Sequence, residues 1–213
     1  MPVKAKICGI NHPEALTAAA SGGARYIGLV FFAKSPRNVS LPLAAELART
    51  VPTGVRTVGL FVDPTDAFLD RALAQVPLDL IQLHGDETPE RVAGIRAAHR
   101  VPVMKALKVE TAADLDAASA YEPVADMLLF DAKPPKGSAL PGGNGVAFDW
   151  TLLTGRHWSK PWMLSGGLTP ETVADAIRIS GAASVDVSSG VEDRPGHKDP
   201  ALIHAFLNAV RGA

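Results

Sequence analysis

The 213-residue chain contains one cysteine, Cys8, which closes an apolar run near the amino terminus. A lone thiol in that position is most often a small buried hydrophobic group. A deprotonated thiol can instead remove a proton from carbon or attack an electrophile. Because an unperturbed thiol is mostly protonated at neutral pH, this chemical role requires surroundings that favour the thiolate. Position alone leaves both interpretations of Cys8 open.

Two aspartates also lie where short apolar runs predict strands. Asp131 follows the run MLLF, where it could cap a turn, donate a proton as a general acid or orient a sugar hydroxyl. Asp186 lies inside the run SVDV, which is an unusual place for a charge unless the side chain faces a polar interior. We therefore expect Asp186 to bond a substrate or another polar group.

Arg37, in the segment SPRN, is a candidate for anion binding, because its planar guanidinium can hold a carboxylate through two hydrogen bonds. A solvated surface arginine is the alternative. We interpret His84, in LHGD, as a capping or packing residue, with substrate contact as the alternative. No cluster of His, Cys and carboxylate residues has the spacing of metal ligands, so we expect no metal.

Glycines end the last two predicted strands, in the segments SGGLT and VSSGV. Gly166, Gly167 and Gly190, together with Ser189, would let backbone N–H groups approach an anion without an obstructing Cβ. We expect that anion to be a phosphate, and we expect a short helix that starts at residues 191–193 to complete the site. Ordinary strand-to-helix turns that need a positive φ are the alternative.

The elements that must position these residues follow from the hydrophobic pattern. Short apolar runs alternate with Ala- and Leu-rich stretches of helical spacing, as in repeated strand-helix units. The predicted strands are 3–8, 26–31, 56–62, 78–83, 102–107, 125–131, 161–165 and 184–188. Eight units predict an α/β fold, a single-domain (β/α)8 TIM barrel with a parallel eight-stranded core over residues 1–213. An open doubly wound sheet is disfavoured, because CGIN rather than a glycine-rich phosphate fingerprint follows the first strand.

In such a barrel the active site lies at the carboxyl ends of the strands, which is where the candidate residues fall. The segment 133–146, KPPKGSALPGGNGV, has no periodicity and is interpreted as a functional lid or a disordered loop. Helix caps are predicted at Asn11, Ser40, Asp63, Thr88 and Thr169.

Composition disfavours several classes of function. Lys plus Arg total 21 and Asp plus Glu 22, so the net charge of -1 gives no electrostatic footprint for nucleic acid or an anionic membrane. No apolar run approaches the ~20 residues of a spanning helix. One cysteine cannot form an internal disulfide, and the first residues, MPVKAK, lack the apolar stretch of a signal peptide. We therefore expect a cytoplasmic protein.

Seven segments, taken in order along all eight units, resemble the phosphoribosylanthranilate isomerase family of tryptophan biosynthesis. They are KICGI, FFAKSPRNV, VGLFV, QLHGD, LFD, SGGL and VDVSSGVE. A single segment such as SGGL is a weak signal, whereas KICGI, SPR, LHGDE and DVSSGVE in register across one barrel are specific.

The resemblance implies a cofactor-independent Amadori rearrangement of N-(5-phosphoribosyl)anthranilate to 1-(2-carboxyphenylamino)-1-deoxyribulose 5-phosphate. It implies that Asp131, as general acid, protonates the furanose ring oxygen and that Cys8, as general base, then removes the C2′ proton. It also implies that Arg37 holds the anthranilate carboxylate and that the glycine-bearing turns hold the phosphate. Asp186 would face the ribose hydroxyls or the ring-opening centre, and the segment 135–145 resembles the family's flexible segment over the anthranilate ring.

Two other hypotheses remain open. The first is a related phosphoribosyl-sugar isomerase of histidine biosynthesis, which Cys8 disfavours because such barrels rely on paired aspartates. The second is a barrel that binds a phosphorylated ligand without turnover, which the presence of Cys8 and Asp131 disfavours. We expect a small-molecule substrate, no nucleic-acid or membrane partner and, from the resemblance, a monomer.

Overall fold

Eight parallel strands close into a barrel in the order in which they occur in the chain. The computed structural model describes residues 2–135, 137–138 and 140–213. The strands are β1 Lys4–Cys8, β2 Tyr26–Phe31, β3 Arg56–Phe61, β4 Leu80–Leu83, β5 Val103–Val109, β6 Met127–Ala132, β7 Trp162–Leu164 and β8 Ser184–Val187. Pairing of β1 with β8 closes the barrel and sets Lys6 beside Asp186. The predicted barrel is therefore confirmed, with strand ends within two residues of the predicted ones.

Seven α-helices among the described residues surround the strands. They are α1 Pro13–Ser21, α2 Leu41–Thr50, α3 Asp66–Gln75, α4 Pro89–Ala98, α5 Ala112–Asp116, α6 Val173–Ser180 and α7 Pro200–Arg211. Between β6 and β7 the chain forms the 3-10 turn Trp150–Leu153, after a stretch rich in Gly and Pro, which disfavour helix. Lys136 and Ala139 of the predicted segment 133–146 lie outside the described residues. No helix in the described ranges has both the length and the apolar character needed to cross a bilayer.

Two of the five predicted helix caps are confirmed and three are wrong. Ser40 and Thr88 cap their helices as expected, each accepting a hydrogen bond from the backbone N–H three residues on. The other three predictions are wrong, because the caps are His12, Thr65 and Thr172, one to three residues later. In each case the predicted residue belongs to the turn that leaves the strand.

The interior of the barrel is layered, because alternate residues of each strand point inward. Apolar side chains fill its amino-terminal half: Tyr26, Val58, Leu80, Met104, Ala106, Met127, Leu129 and Met163. The buried polar side chains of Gln82 and Asp131 lie two residues beyond Leu80 on β4 and Leu129 on β6. Lys6 on β1 and Asp186 on β8 are also buried and polar, and they lie side by side. The strands thus carry polar groups toward their carboxyl ends.

A short hairpin follows β8. Its strands, β9 Glu192–Arg194 and β10 His197–Lys198, are antiparallel. The predicted short helix at residues 191–193 is therefore wrong, since the 3-10 turn Ser189–Val191 leads directly into a strand. The backbone at Glu192 is extended, and its carboxylate reaches Arg37 and Lys198. The bond between Glu192 and Arg37, which lie 155 residues apart in the chain, favours this extended backbone over a helix at residues 191–193.

Candidate active site

A cleft opens at the carboxyl ends of the strands. Seven predicted site residues line it: Cys8, Arg37, Asp131, Gly166, Gly167, Asp186 and Ser189. Gly190 is not among the lining residues that the structure describes. A Cβ on Gly190 would lie 1.9 Å from the carbonyl oxygen of Leu168, so this glycine lets the turns after β7 and β8 pack together. The fold thus brings residues from distant strands to one space.

Cys8, at the end of β1, lines the cleft and is 4% exposed. Burial raises the pKa of its thiol above the ordinary value, although the Lys6 ammonium acts in the opposite direction. Gly28 on β2 leaves room for the sulfur, because a Cβ there would lie 2.9 Å from Sγ. A thiolate formed at this position is a strong base.

Lys6 and Asp186 form a buried ion pair next to Cys8. Lys6 Nζ donates to Asp186 Oδ1 at 2.9 Å, and the hydroxyl of Ser165 donates to Asp186 Oδ2 at 3.2 Å. Burial by itself would lower the pKa of Lys6, but attraction to Asp186 and Cys8 raises it above its ordinary value. Asp186 therefore bonds a buried cation and also borders the cleft.

Asp131, at the end of β6, contacts a histidine. Its Oδ1 accepts the backbone N–H of Ala132 at 2.9 Å, and its Oδ2 lies 3.1 Å from His84 Nε2. Gln82 Nε2 lies 3.0 Å from His84 Nδ1. The sequence-based interpretation of His84 as a capping or packing residue missed this contact. The two-residue spacing of Gln82, on β4, and His84, just after it, was the available signal, because such a spacing directs both side chains to the same side of the extended chain.

The guanidinium of Arg37 is held by Glu192, a partner that sequence reasoning missed. Arg37 Nε and Nη2 donate to the two carboxylate oxygens of Glu192 at 2.7 and 2.9 Å. The fully buried Lys198 donates to the same carboxylate at 2.5 Å. Burial alone would raise the pKa of Glu192, but the hydrogen bond from Arg37 and the charge of Lys198 lower it. Burial lowers the pKa of Lys198, while the charge of Glu192 acts in the opposite direction. With Lys198 protonated, two cations around one carboxylate give this cluster a net positive charge.

The turn after β7 has the backbone that anion binding requires. Gly166 and Gly167 have φ angles of +88° and +63°, in the left-handed region that favours glycine. Their N–H groups donate to no backbone carbonyl in the part of the chain that the structure describes. Ser189 opens the neighbouring 3-10 turn after β8. These turns can present N–H groups to an anion in the cleft.

The segment after β6 lies across the cleft. A Cβ on Gly142 would lie 2.5 Å from His84 Nε2 and 2.6 Å from Asp131 Oδ2. The carbonyl oxygen of Gly143 accepts a hydrogen bond from Arg37 Nη2 at 3.3 Å. The described residues of this segment, 137–138 and 140–147, are called the lid below, and they touch both the aspartate and the arginine.

Comparison with known proteins adds to this geometry. Residues 5–209 match the family described as N-(5′-phosphoribosyl)anthranilate (PRA) isomerase. The chain is 70% identical over 208 residues, 97% of each chain, to N-(5′-phosphoribosyl)anthranilate isomerase of Rhodospirillum centenum.

Two solved structures are similar over nearly the whole chain. One is a phosphoribosyl anthranilate isomerase in complex with reduced 1-(o-carboxyphenylamino)-1-deoxyribulose 5-phosphate, with 33% identity, a TM-score of 0.83 and coverage of 99% of this chain and 100% of that one. The other shows monomers of the dimeric phosphoribosylanthranilate isomerase from Thermotoga maritima, with 34% identity and the same TM-score and coverage. These similarities favour the first of the three functional hypotheses.

Proposed function

Because the chain belongs to the N-(5′-phosphoribosyl)anthranilate isomerase family, we propose that Cys8 and Asp131 are the base and the acid of its reaction. That reaction is the isomerisation of phosphoribosylanthranilate in tryptophan biosynthesis, and its substrate is a small molecule. The observation that carries the proposal is that both side chains face one cleft, from β1 and from β6.

Asp131 is the proposed general acid. Its protonated carboxyl donates to the furanose ring oxygen, and the bond between that oxygen and C1′ breaks as the ring opens to an iminium ion. Within the described residues, no lysine or arginine is bonded to Asp131. The carboxyl is therefore not committed to an ion pair with a permanent cation, which supports its role as a proton carrier.

Cys8 is the proposed general base. Its thiolate removes the C2′ proton, and the electron pair of that bond forms a C1′–C2′ double bond and neutralises the iminium nitrogen. The positive iminium attracts the thiolate, which helps to offset the burial that raises the pKa of the thiol. The resulting enolamine tautomerises to the ketone of the product.

Arg37 is proposed to hold the anthranilate carboxylate through Nη1. Nε and Nη2 are occupied by Glu192, which fixes the plane of the guanidinium. A protonated Lys198 offsets the negative charge of Glu192, so the cluster in that form still attracts an anion. This arrangement supports carboxylate recognition at one end of the cleft.

The ribose phosphate is proposed to bind at the glycine turns. Gly166, Gly167 and Ser189 would offer N–H groups, and Gly190 would shape the second turn. Asp186 is proposed to face the ribose hydroxyls, because it borders the cleft between those turns and Cys8.

We also propose that residues 1–213 form one domain, active as a monomer in the cytoplasm. Pairing of β1 with β8, which closes the barrel, supports one domain. Val146 of the lid, at 40% exposure, is the one large hydrophobic side chain exposed among the described residues, which supports a monomer. A reducing compartment would keep the Cys8 thiol free. In light scattering, a mass near 22.3 kDa supports the monomer and twice that mass contradicts it.

The first test follows the loss of anthranilate-ribotide fluorescence for the wild type, Cys8→Ser and Asp131→Asn. We expect kcat of each variant to fall by about 10² to 10⁴-fold, the usual contribution of a general acid or base. Full activity of Cys8→Ser would exclude the thiol as the base, and full activity of Asp131→Asn would exclude the carboxyl as the acid.

Asp175→Asn is the matched control. Asp175 is exposed and forms a surface pair with Arg178, so the change should leave kcat unchanged. Thermal unfolding of every variant establishes that a loss of activity is not a loss of folding.

A further inference from the structure

Gln82, His84 and Asp131 form a hydrogen-bonded chain from the barrel interior to the cleft. Gln82 is fully buried, and its Oε1 has no hydrogen-bond partner among the described residues. An unpartnered buried amide oxygen is costly, because it has given up its hydrogen bonds to water. One end of the chain is therefore unsatisfied in the observed arrangement.

In the observed arrangement, Gln82 donates a hydrogen bond to His84, and His84 donates one to Asp131. Gln82 Nε2 carries only N–H donors, so it donates to a lone pair on His84 Nδ1. A neutral imidazole then carries its proton on Nε2 and donates it to Asp131 Oδ2. This direction matches an ionised Asp131, the form that remains after the acid has given its proton to the substrate.

Half a turn of the Gln82 amide reverses both bonds. Oε1 of Gln82 would then accept the proton of His84 Nδ1, and the lone pair of Nε2 would accept the O–H of a protonated Asp131. The imidazole is neutral in both arrangements, with its proton on Nε2 in the first and on Nδ1 in the second. The second arrangement holds one more proton, which enters from solvent water and leaves to the ring oxygen of the substrate.

We propose that Gln82 and His84 are positioning residues that reverse their hydrogen bonds as Asp131 gains and loses its proton. This inference rests on the proposed role of Asp131 as general acid. Each turnover takes a proton from Asp131 and gives one to Cys8, so Asp131 must be protonated again before the next turnover. A reversible chain keeps the carboxyl bonded in both forms.

Among the described residues, His84 is the titratable group in hydrogen-bond contact with Asp131. Lysines on and after the neighbouring strands are paired elsewhere, at 2.6, 2.7 and 2.9 Å: Lys105 with Glu87, Lys108 with Asp86 and Lys133 with Glu110. From β1 and β8, Cys8 and Asp186 line the same cleft, and Asp186 is paired with the fully buried Lys6. Within the described residues, none of these groups is bonded to the chain of Gln82, His84 and Asp131.

Nitrogen-15 NMR of protein labelled at histidine tests the inference without substrate. We expect His84 to stay neutral while its proton moves from Nε2 at high pH to Nδ1 at low pH. The variant His84→Gln assigns the signal among the six histidines. An imidazolium signal from His84, or a single tautomer across the whole pH range, would overturn the proposal.

Kinetics of Gln82→Met give a second test. Methionine has a similar length but no amide. We therefore expect kcat to fall about 3- to 10-fold, which corresponds to the free energy that one hydrogen bond contributes. KM should stay unchanged, and the pH profile of kcat should be displaced. Gln75→Met, at an exposed position of α3, is the matched control and should match the wild type. A wild-type kcat and pH profile for Gln82→Met would overturn the proposal.

The two tests separate this inference from the proposed function. A wild-type protein without turnover would contradict the proposed function, whereas the tautomer of His84 is measured in the same protein without any substrate. Turnover together with a fixed tautomer would overturn only the reversal of the chain.

Discussion

Asp131 on β6 and Asp186 on β8 are equally buried, at 4% exposure, yet they have different partners. Asp186 accepts a hydrogen bond from the Lys6 ammonium, a permanent cation. Asp131 contacts the imidazole of His84 and a backbone N–H. The difference suits one carboxylate to act as a fixed counter-ion and the other to exchange a proton. The nearest partner, rather than depth of burial, distinguishes the two proposed roles.

The same contrast extends to two groups of residues at the cleft, each of which includes one fully buried side chain that does not line it, Lys6 in one and Gln82 in the other. The β1/β8 wall, defined by Lys6, Cys8 and Asp186, contains a buried ion pair. The β4/β6 wall, defined by Gln82, His84 and Asp131, contains a chain of hydrogen bonds without a permanent cation. We expect changes of charge on the first wall to affect stability most, and changes on the second to affect turnover most.

The largest expected effect is on the stability of the β1/β8 wall. Lys6→Met leaves Asp186 buried without its cation, so the free energy of unfolding should fall by about 3–5 kcal/mol. Urea denaturation followed by circular dichroism measures this change. Lys4→Met, two residues earlier on the same strand and exposed, is the matched control and should stay within about 0.5 kcal/mol of the wild type.

A double variant keeps this prediction testable if Lys6→Met does not fold. Lys6→Met with Asp186→Leu removes both charges, and it should recover most of the lost stability because no uncompensated charge stays buried. A double variant less stable than Lys6→Met would contradict the view that the unpaired carboxylate causes the loss.

The lid tests the β4/β6 wall. In Gly142→Ala the new Cβ would lie 2.5 Å from His84 Nε2 and 2.6 Å from Asp131 Oδ2, too close for the lid to keep its position. Overpacking of about 1–3 kcal/mol predicts a fall in kcat/KM of about tenfold or more, with little change in the free energy of unfolding. Steady-state kinetics measure the first quantity and urea denaturation the second. Unchanged kcat/KM would mean that the lid does not rest on this wall during turnover.

The protonation of Cys8 gives a more limited test of the β1/β8 wall. Because burial raises the pKa of the thiol, the thiolate should form at higher pH in the folded protein than in the chain unfolded in urea. The folded state then holds this proton more tightly, so the stability it contributes is present below the unfolded pKa and is lost as pH rises. Ultraviolet absorbance of the thiolate, with Cys8→Ser as the blank, measures both titrations. Ionisation at the same or lower pH in the folded protein would contradict the effect of burial.

The smallest expected effect lies outside both walls. Gly94 is inside α4, and a Cβ there would meet nothing within 4 Å. Gly94→Ala should raise the free energy of unfolding by about 0.5–1 kcal/mol, because alanine has the higher helix propensity. Thermal unfolding measures this gain, and kcat/KM should not change. This variant is also the control for Gly142→Ala, and a loss of activity here would weaken the argument from the lid.

The strands and several residues that line the cleft could be predicted because their signals are local. Short apolar runs give the strands, and the rule that barrel sites lie at strand ends singles out Cys8 and Asp131. Alternation along a strand also puts Gln82 and His84 on one face. It does not identify the residue that each side chain meets, because that residue comes from another strand.

The missed features depend on contacts between distant parts of the chain. Glu192 was expected at the start of a helix, but its bonds to Arg37 favour an extended backbone. Nothing in the local sequence around Lys198 indicates that it is fully buried beside the same carboxylate. Sequence patterns therefore predicted the strands and the positions of the candidate residues better than the partners of those residues.

The closing pair of strands also determines when the site is completed during synthesis. Lys6 and Asp186 are 180 residues apart in the chain, and Ser188 bonds the carbonyl of Cys8 across the same separation. At translation rates of about 5–20 residues per second, β1 waits roughly 10 to 40 s for β8 to be made. Until then Lys6 lacks its counter-ion and Cys8 lacks one wall of its site. The candidate site is therefore complete only after β8 has paired with β1.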